Sequence, residues 1–381
     1  MWTKTQDLEN NFPMVSDLAA LARRKMPYFA WEYLDSGTGA ETLMTKNRNA
    51  LDAVSFVPNF CLGDFTPSLE TELFGMTYDV PFGIAPIGLT GLMCPQGELM
   101  LARTARAKNL PYCLSTVACE TPEDVAAEAG GNSWFQLYPP SDADTRNDLM
   151  NRAWAAGMKT LVVTIDVPVG SRRERHLRAG LTMPPRKTPL TLWRAALRPS
   201  WAIATLRYGE PRFKTLEPYF DPDEIGKTGN PAGKIVSGRA DWDVIRDLRA
   251  NWEGALVIKG IMSPSDAQTA IDLGADGIVV SNHGGRQFDG GPASIDLLPP
   301  VKKVVGDQCK ILFDSGLRSG LDIMRALSLG ADFCLFGRAF IYGVSALGER
   351  GALHTVDILA EDLRNNMIQV GAKSVRDVQK L

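Results

Sequence analysis

Residues 255–283 read Ala-Leu-Val-Ile-Lys-Gly-Ile-Met-Ser-Pro-Ser-Asp-Ala-Gln-Thr-Ala-Ile-Asp-Leu-Gly-Ala-Asp-Gly-Ile-Val-Val-Ser-Asn-His and contain two short apolar runs. These runs, Ala255–Gly260 and Gly277–Asn282, have the length and composition of buried β-strands. The segment between them, Pro264–Leu273, has a helical pattern, and Gly274 follows it in the position of a helix C-cap. The stretch therefore predicts one strand–helix–strand unit.

Six further apolar runs repeat this arrangement along the chain. The eight runs begin at intervals of 31, 21, 26, 95, 22, 33 and 23 residues, and six of the seven intervals fit one strand plus one helix. Eight such units predict an α/β fold, a closed (β/α)8 or TIM barrel. The additional strands are Phe82–Pro86, Cys113–Thr116, Trp134–Tyr138, Thr160–Asp166, Lys310–Ser315 and Phe333–Gly337. The additional helices include Glu98–Ala107, Pro122–Ala129, Asp144–Ala156 and Gly320–Leu329, and Gly157 and Gly330 follow two of them as C-caps.

The outlying interval indicates one long insertion after the fourth strand, at about residues 175–240. We expect a helical segment before the first strand and a single domain over residues 1–381. The net charge of −3 does not indicate nucleic-acid binding, and the six cysteines lack a paired metal spacing. No run reaches the roughly 18 apolar residues of a membrane-spanning helix. We expect a cytoplasmic protein, soluble or peripheral on the inner face of the cell membrane, without a metal.

Polar residues stand at the carboxyl ends of the predicted strands. In a barrel these ends converge on one mouth, where active sites lie. Each residue alone would be read as a helix cap or a turn residue, but caps do not explain so many together. The residues are Ser115, Gln136, Tyr138, Thr164, Asp166, Lys259, Ser281, Asn282, His283, Asp314, Ser315, Gly337 and Arg338.

Two glycine loops after the last two strands predict a phosphate site. They read Asp314-Ser-Gly-Leu-Arg-Ser-Gly320 and Phe336-Gly-Arg338. TIM barrels commonly bind phosphate with these loops and a helix N-terminus. Gly316 and Gly337 allow close backbone approach, and Arg318 and Arg338 can add charge-assisted hydrogen bonds. The alternative is two ordinary glycine turns.

The run Ser281-Asn-His-Gly-Gly-Arg-Gln287 places a histidine and an arginine at the same mouth. His283 can act as a base near pH 7, and Arg286 has the planar fork that matches a carboxylate. Asp166 can stabilise the charged imidazole, and Arg173 can bind an anionic substrate. The alternatives are an ordinary surface histidine and, for Arg172 and Arg175, a solvated run of charges.

Lys259 ends an apolar run, so it is either buried beside a negative group or catalytic. It could form a Schiff base or stabilise an anionic cofactor ring, and its spacing leaves both alternatives open.

The chain resembles the FMN-dependent L-2-hydroxy-acid oxidases and dehydrogenases, which include glycolate oxidase and the lactate and mandelate dehydrogenases. The resemblance extends over nearly the whole chain. Its most specific motifs are Ser281-Asn-His-Gly-Gly-Arg-Gln287 and the downstream Asp314-Ser-Gly-Leu-Arg318. Other matching motifs are Ile84-Ala-Pro-Ile-Gly88, Leu114-Ser-Thr116, Trp134-Phe-Gln-Leu-Tyr138 and Val257-Ile-Lys-Gly260.

The resemblance implies roles for the residues of these motifs. His283 would remove a substrate proton, and Asp166 would stabilise the resulting imidazolium. Arg286, Arg173 and the hydroxyl of Tyr33 would bind the carboxylate, while Tyr138 would bind the substrate oxygen. Lys259 would stabilise the reduced flavin, and this role replaces the Schiff-base alternative. The other implied FMN contacts are Ala85, Pro86, Ile87, Ser115, Gln136, Thr164, Ser281, Asp314, Ser315, Gly316, Arg318, Gly337 and Arg338.

Two positions depart from the oxidase pattern. Val117 stands where many oxidases of the family have Trp, which widens the pocket and argues against glycolate as the sole substrate. Gly88 stands where oxidases often have Ala, as in the dehydrogenase branch.

The insertion is basic, although the chain as a whole is acidic. From Arg175 to Gly209 there are seven Lys or Arg and no Asp or Glu, and residues 190–208 interleave Leu, Trp and Arg. Such a segment suits a lipid interface, and membrane-associated relatives have a similar one. A mobile lid and an arm that packs on a neighbouring subunit are the alternatives.

We therefore expect a lactate or mandelate type of dehydrogenase that passes electrons to a quinone or another membrane acceptor. Its nearest alternative is an oxidase that passes them to oxygen and produces hydrogen peroxide. An FMN-dependent isomerase and a non-catalytic binding module fit less well, because the carboxylate-binding arginines and every catalytic role are present. The resemblance also implies a homo-oligomer, a tetramer.

Overall fold

The computed structural model describes residues 5–180, 188–221, 231–236 and 240–381. Helices precede the barrel, as predicted, and the second of them packs against the helix that follows the last strand. The third carries Tyr33 and ends beside the mouth of the barrel. These four helices are α1 (Thr5–Asn11), α2 (Val15–Lys25), α3 (Tyr28–Asp35) and α4 (Thr42–Ala53).

A small antiparallel hairpin follows, with strands β1 (Thr71–Leu73) and β2 (Met76–Tyr78). Leu73 and Tyr78 are buried against barrel residues such as Trp134 and Phe333. These two contacts are made near the amino ends of the strands, so the hairpin covers the end of the barrel opposite the mouth. The sequence analysis missed the hairpin because strands of three residues carry too little alternation to stand out.

The eight predicted strands form a closed parallel barrel in chain order, and the last strand pairs with the first. This confirms the predicted TIM barrel. The observed strands begin within one residue of the predicted positions and mostly end one or two residues earlier. They are β3 (Phe82–Ile84), β4 (Tyr112–Ser115), β5 (Ser133–Leu137), β6 (Thr160–Thr164), β7 (Ala255–Ile261), β8 (Gly277–Val280), β9 (Lys310–Phe313) and β10 (Phe333–Phe336).

Helices follow the strands and surround the barrel. Gly157, Gly274 and Gly330 each have a positive φ just after a helix, as predicted for helix ends. The helices outside the insertion are α5 (Thr90–Met93), α6 (Gly97–Ala107), α7 (Pro122–Ala129), α8 (Ala143–Ala155), α14 (Pro264–Asp272), α15 (Leu298–Val305), α16 (Gly320–Ser328), α17 (Arg338–Leu347), α18 (Glu349–Val370) and α19 (Val375–Val378). Short 3-10 turns lie at His283–Gly285 and Ser294–Leu297.

The strands are apolar throughout because both of their faces are buried. One set of side chains fills the barrel, including Val162, Val257 and Leu312. The alternate set, including Leu161 and Ile258, packs in the separate cluster that contains the surrounding helices. Two buried layers fix the strand register, so the positions of the strand ends are fixed as well.

The insertion after β6 contains five helices, together with a 3-10 turn at Glu217–Tyr219, among the described residues. Residues 181–187, 222–230 and 237–239 of the predicted insertion lie outside the described part. The helices are α9 (Glu174–Ala179), α10 (Pro189–Ala196), α11 (Pro199–Tyr208), α12 (Pro231–Ile235) and α13 (Trp242–Ala250).

Helices α10 and α11, which we call the α10–α11 hairpin, have no buried residue. Trp193 is exposed, whereas Trp201 is bound to the rest of the protein. Trp201 donates from Nε1 to the Leu92 carbonyl at 2.8 Å and packs edge-on against Phe29. Arg194 donates to the Ala179 carbonyl of α9, and Arg198 donates to the Met26 carbonyl after α2. One side of the hairpin is thus bound to the protein, and the other side is exposed.

Candidate active site

The loops after the barrel strands surround a cavity of about 350 Å³. Fifteen of the twenty residues to which the resemblance gives a role line it, namely Tyr33, Ala85, Pro86, Ile87, Tyr138, Arg173, Lys259, His283, Arg286, Asp314, Ser315, Gly316, Arg318, Gly337 and Arg338. The other five do not line it, but they hydrogen-bond to one another or to residues that do. These are Ser115, Gln136, Thr164, Asp166 and Ser281.

His283 follows β8 in a left-handed backbone conformation, with φ of 56°. Its backbone N–H donates to Ser281 Oγ at 3.1 Å, and its ring Nδ1 lies 2.8 Å from Asp166 Oδ1. This contact leaves Nε2 as the ring nitrogen that can accept a proton. Burial lowers the pKa of His283 below its ordinary value, although the Asp166 carboxylate opposes the shift. The ring is therefore a neutral base near pH 7.

Lys259 is buried on β7, where Nζ donates to Ser281 Oγ at 2.9 Å and lies 3.2 Å from Asp314 Oδ2. A second carboxylate oxygen, Asp166 Oδ2, is 4.0 Å away. Although burial opposes its charge, the two carboxylates hold the pKa of Lys259 above its ordinary value. A Schiff base needs a neutral amine, so this environment supports a cation beside the cavity rather than a nucleophile.

Arg286 is held by the end of α3. Its Nη1 donates to the carbonyls of Leu34 and Ser36 at 3.1 and 2.8 Å, and its Nη2 donates to the carbonyl of Tyr33 at 2.9 Å. Among the described residues, three of its five N–H groups are thus engaged, which leaves one on Nε and one on Nη2 for an anion. Burial and the neighbouring Arg173 lower the pKa of Arg286 well below its ordinary value. A bound carboxylate would relieve this excess of positive charge.

Two tyrosines and a second arginine complete this side of the cavity. Tyr33 donates from its hydroxyl to the Gly88 carbonyl at 3.2 Å. Burial raises the pKa of Tyr138 to about 12, and the Asp166 charge adds to the effect. Tyr138 is therefore a protonated donor at neutral pH. Arg173 donates from Nη2 to Gln287 Oε1 at 3.3 Å and lines the cavity.

The two glycine loops also line the cavity, and the first of them lies against the His283 loop. Ser315 and Gly316 have φ of 87° and 99°, a sharp turn that Ser315 Oγ supports by accepting from two backbone N–H groups of the His283 loop. Arg318 lines the cavity, whereas Arg338 commits its side chain to carbonyls, including those of Leu34 and Ser36. A phosphate here would be bound by Arg318 and by the backbone N–H groups at the start of α17, more than by the Arg338 side chain.

Three linked polar side chains, which we call the polar bed, lie at the ends of neighbouring strands. Ser115 donates to Gln136 Oε1 at 3.0 Å, and Gln136 donates to Thr164 Oγ1 at 3.0 Å, which links three neighbouring strands below the cavity. An added Cβ at Gly88 would lie 2.5 Å from Val117 Cγ2, so an alanine here would require the Val117 side chain to move. One phosphate subsite, a polar bed and the Lys259 cation form a donor set that fits FMN.

Sequence reasoning missed several residues at this site. Val167 and Val236 line the cavity but are single apolar residues within loops, which carry no signal. For Arg175 the sequence offers only the alternative of a solvated charge run, but its guanidinium pairs with carboxylates of the N-terminal segment. His176 stacks on Tyr33, with ring centres 5.3 Å apart. Its rarity, as one of three histidines, was the only available signal.

The chain is similar to known dehydrogenases over nearly its whole length. An L-lactate dehydrogenase of Pseudomonas aeruginosa (strain LESB58) is 38% identical over 95% of this chain and 96% of its own length. One from Caulobacter vibrioides (strain NA1000 / CB15N) is 37% identical over 96% of each. The crystal structure of the monotopic membrane protein (S)-mandelate dehydrogenase is similar with a TM-score of 0.90 and 32% identity, covering 96% of this chain and 97% of that one.

A mandelate oxidase structure with (S)-mandelic acid is also similar, with a TM-score of 0.81 and 32% identity over 97% of both chains. The FMN-dependent dehydrogenase family matches residues 22–381. The resemblance inferred from the motifs is thereby confirmed. The chain belongs to the FMN-dependent dehydrogenase family, and its cofactor is FMN.

Proposed function

We propose that this protein oxidises an L-2-hydroxy acid of the lactate or mandelate type to the corresponding 2-keto acid. The observation that carries the proposal is one cavity that holds both a neutral, carboxylate-backed imidazole and an excess of arginine charge. His283 with Asp166 provides the first, and Arg286 with Arg173 provides the second. The relatives named above act on L-lactate and on (S)-mandelate, which contain both a carboxylate and a removable proton.

The carboxylate would be bound first and would orient the rest of the substrate. Arg286 offers two N–H groups from a guanidinium that α3 carbonyls already hold in place. Arg173 and Tyr33 line the same cavity, so Arg173 would add a charge, and Tyr33 would add its hydroxyl once that group turned from the Gly88 carbonyl to the anion. Because the Arg286 guanidinium is already held in place, its donors can bind a carboxylate with little rearrangement. Tyr138 would donate to the substrate oxygen, since its phenol stays protonated.

Proton removal would fall to Nε2 of His283. The ring is neutral before the reaction, and it becomes positively charged when it accepts the proton. Asp166 lies 2.8 Å from Nδ1 and stabilises that charge. Conversion of a 2-hydroxy acid to a 2-keto acid releases two electrons and two protons, and His283 accounts for one of those protons.

The residues that would hold FMN follow from the same geometry. Arg318 and the Gly316 and Gly337 loops would bind the phosphate. The polar bed formed by Ser115, Gln136 and Thr164 would contact the ring, together with Ala85–Ile87 and Ser281. When bound, FMN supplies the acceptor for the two electrons. Lys259 would hold its cation beside the ring, because two carboxylates keep it protonated.

The side chain of the hydroxy acid would contact an apolar wall. Val117, Val167 and Val236 line the cavity, and none of them brings a polar side chain. Valine at position 117 occupies less space than the tryptophan of many oxidases. The wall therefore suits a methyl or a phenyl group better than the bare hydrogen of glycolate.

We also propose a quinone or another membrane acceptor, with the α10–α11 hairpin lying in the lipid interface. The outer side of the hairpin exposes Trp193, Ile203 and Leu206 by 63, 65 and 86%. Exposed apolar side chains beside arginines suit an interfacial segment. Among the described residues no helix is long and apolar enough to cross a membrane. The homotetramer expected from the resemblance stays a prediction, which light scattering tests.

One set of assays tests the function and its alternative. Purified protein should release FMN on denaturation and should turn over L-lactate or L-mandelate with an artificial dye. Slow turnover in oxygen without the dye supports a dehydrogenase. Hydrogen peroxide released at the rate of substrate oxidation would instead identify an oxidase. A protein that turns over neither acid under either condition would contradict the proposal.

A further inference from the structure

Helix α9, at the start of the insertion, contacts the carboxylate-binding groups from outside the barrel. It follows Arg173, and it packs against α3, which carries Tyr33. His176 lies on its inner side. The His176 ring stacks on the Tyr33 ring at 5.3 Å between centres and 27° between planes.

The same histidine shares a hydrogen-bond acceptor with Arg286. His176 Nε2 lies 3.2 Å from the carbonyl oxygen of Tyr33, and Arg286 Nη2 donates to that oxygen at 2.9 Å. Because a carbonyl oxygen has two lone pairs, it can accept from both. His176 thus contacts both the ring of Tyr33 and the carbonyl that fixes the guanidinium of Arg286.

The His176 ring is held neutral by its surroundings. Burial and the positive charges of Arg286 and Arg173 lower the pKa of His176 to about 3. The neutral ring then donates from Nε2 to the carbonyl and adds no positive charge between the two arginines. A lysine or arginine at this position would add a third cation to the group that receives the substrate.

Arg175 anchors α9 so that these contacts persist. Its guanidinium pairs with Glu32, with Asp35 at 3.0 Å and with Glu41 at 3.2 Å. Three carboxylates from α3 and the turn after it therefore hold one arginine of α9. Burial opposes the charge of Arg175, but Glu32 and Asp35 raise its pKa above the ordinary value.

We infer that His176 is a positioning residue, which holds Tyr33 and Arg286 in the arrangement that binds the substrate carboxylate. Mechanistically, it touches neither the substrate nor FMN and acts through the two residues that it contacts. This inference rests on the proposed function, because Tyr33 and Arg286 are the carboxylate-binding groups proposed there.

The test measures binding of a carboxylate that cannot react. 2-Hydroxyisobutyrate has the carboxylate and the hydroxyl of the substrate but no hydrogen on the α carbon. Isothermal titration of the FMN-loaded protein gives its Kd for the wild type and for His176→Phe, which keeps an aromatic ring without the donor. We expect Kd to rise roughly tenfold, because displaced Tyr33 and Arg286 side chains would lose about one hydrogen bond to the carboxylate. His176→Gln, which keeps a donor, should recover part of this loss.

A second buried histidine provides a matched control. His354 Nε2 lies 2.9 Å from the Phe12 carbonyl, away from the cavity. His354→Phe therefore removes a similar bond and should leave Kd unchanged, although the protein loses stability. In turnover, His176→Phe should raise KM by a similar factor of roughly ten and change kcat by less than about threefold.

The outcomes separate the inference from the proposed function. Tight binding by the wild type with an unchanged Kd in His176→Phe would overturn the positioning role alone. An equal rise of Kd in His354→Phe would overturn it too, since the effect would then follow general stability. An FMN-loaded wild type that neither binds 2-hydroxyisobutyrate nor oxidises a 2-hydroxy acid would overturn the proposed function and this inference together.

Discussion

The barrel mouth and the first part of the insertion line the same cavity, but they are held in different ways. Lys259 and His283 stand on or directly after strands whose register is fixed by apolar layers on both faces. Arg173 precedes α9, a helix of six residues. Ion pairs and a stacked histidine hold α9 to α3, and Arg194 of the α10–α11 hairpin donates to its Ala179 carbonyl. The barrel thus places His283, Lys259 and Arg286 through its strand register, whereas the insertion places Arg173 through side-chain contacts.

The first prediction concerns the barrel side and has the largest expected effect. His283→Ala removes the base and should lower kcat by a factor of roughly 10² to 10⁴. FMN should remain bound, because the phosphate loops and the polar bed do not include the imidazole. Steady-state assays and the flavin spectrum measure the two effects. Near-normal turnover in this variant would mean that the base is elsewhere.

The second prediction concerns the exposed side of the insertion. Trp193→Ser with Leu206→Ser should weaken binding to anionic liposomes by roughly a hundredfold, since two apolar side chains no longer leave water. Turnover with a soluble dye should stay unchanged, because both side chains are exposed and neither lines the cavity. Phe60→Ser, an exposed apolar residue outside the hairpin, is the control.

Liposome binding by the wild type should also weaken as salt rises, because salt screens the attraction between arginines and headgroups. A wild type that does not bind anionic liposomes at low salt would contradict the membrane proposal. Deletion of residues 190–208 is a poorer test. It also removes the Trp201–Leu92 and Arg194–Ala179 hydrogen bonds, so dye turnover would fall for a reason unrelated to lipid.

The third prediction tests Arg286, which follows β8 and donates to carbonyls of the N-terminal segment. Arg286→Lys should lower kcat/KM by roughly 10- to 100-fold, because an ammonium cannot replace a two-point contact with a carboxylate. It also loses bonds to carbonyls of Tyr33, Leu34 and Ser36. Arg146→Lys, a buried arginine paired with Asp247 away from the cavity, is the control and should leave kcat/KM near the wild-type value.

The fourth prediction is a shift in pH dependence. Because burial lowers the pKa of His283, the acid limb of the kcat/KM profile should lie below the ordinary histidine value of about 6.5. The Asp166 carboxylate raises this pKa, so Asp166→Asn should move the limb further down, by about one pH unit. It should also lower the plateau, since the imidazolium loses its counter-charge. A limb that moves to higher pH would contradict this assignment.

The contrast between barrel and insertion also explains which features the sequence could predict. Strand positions follow from apolar runs at regular spacing, and residues at their ends, such as Gln136 and Asp314, must then meet at one mouth. The direction of a side chain in an irregular insertion follows from packing instead. Trp193 and Trp201 are alike in the sequence, yet one is exposed and the other donates to Leu92. Likewise, Arg175 anchors α9 by pairing with Glu32 and Asp35, which lie more than a hundred residues away in the sequence, so local sequence could not predict this role.

Anaerobic mixing of the purified yellow protein with single 2-hydroxy acids tests the central claim most directly. The account predicts that L-lactate or L-mandelate bleaches the flavin absorbance and yields about one keto acid per FMN, while glycolate reacts less well and the D-enantiomers do not react. A protein that holds FMN and stays yellow with every L-2-hydroxy acid would contradict the claim that this mouth oxidises them.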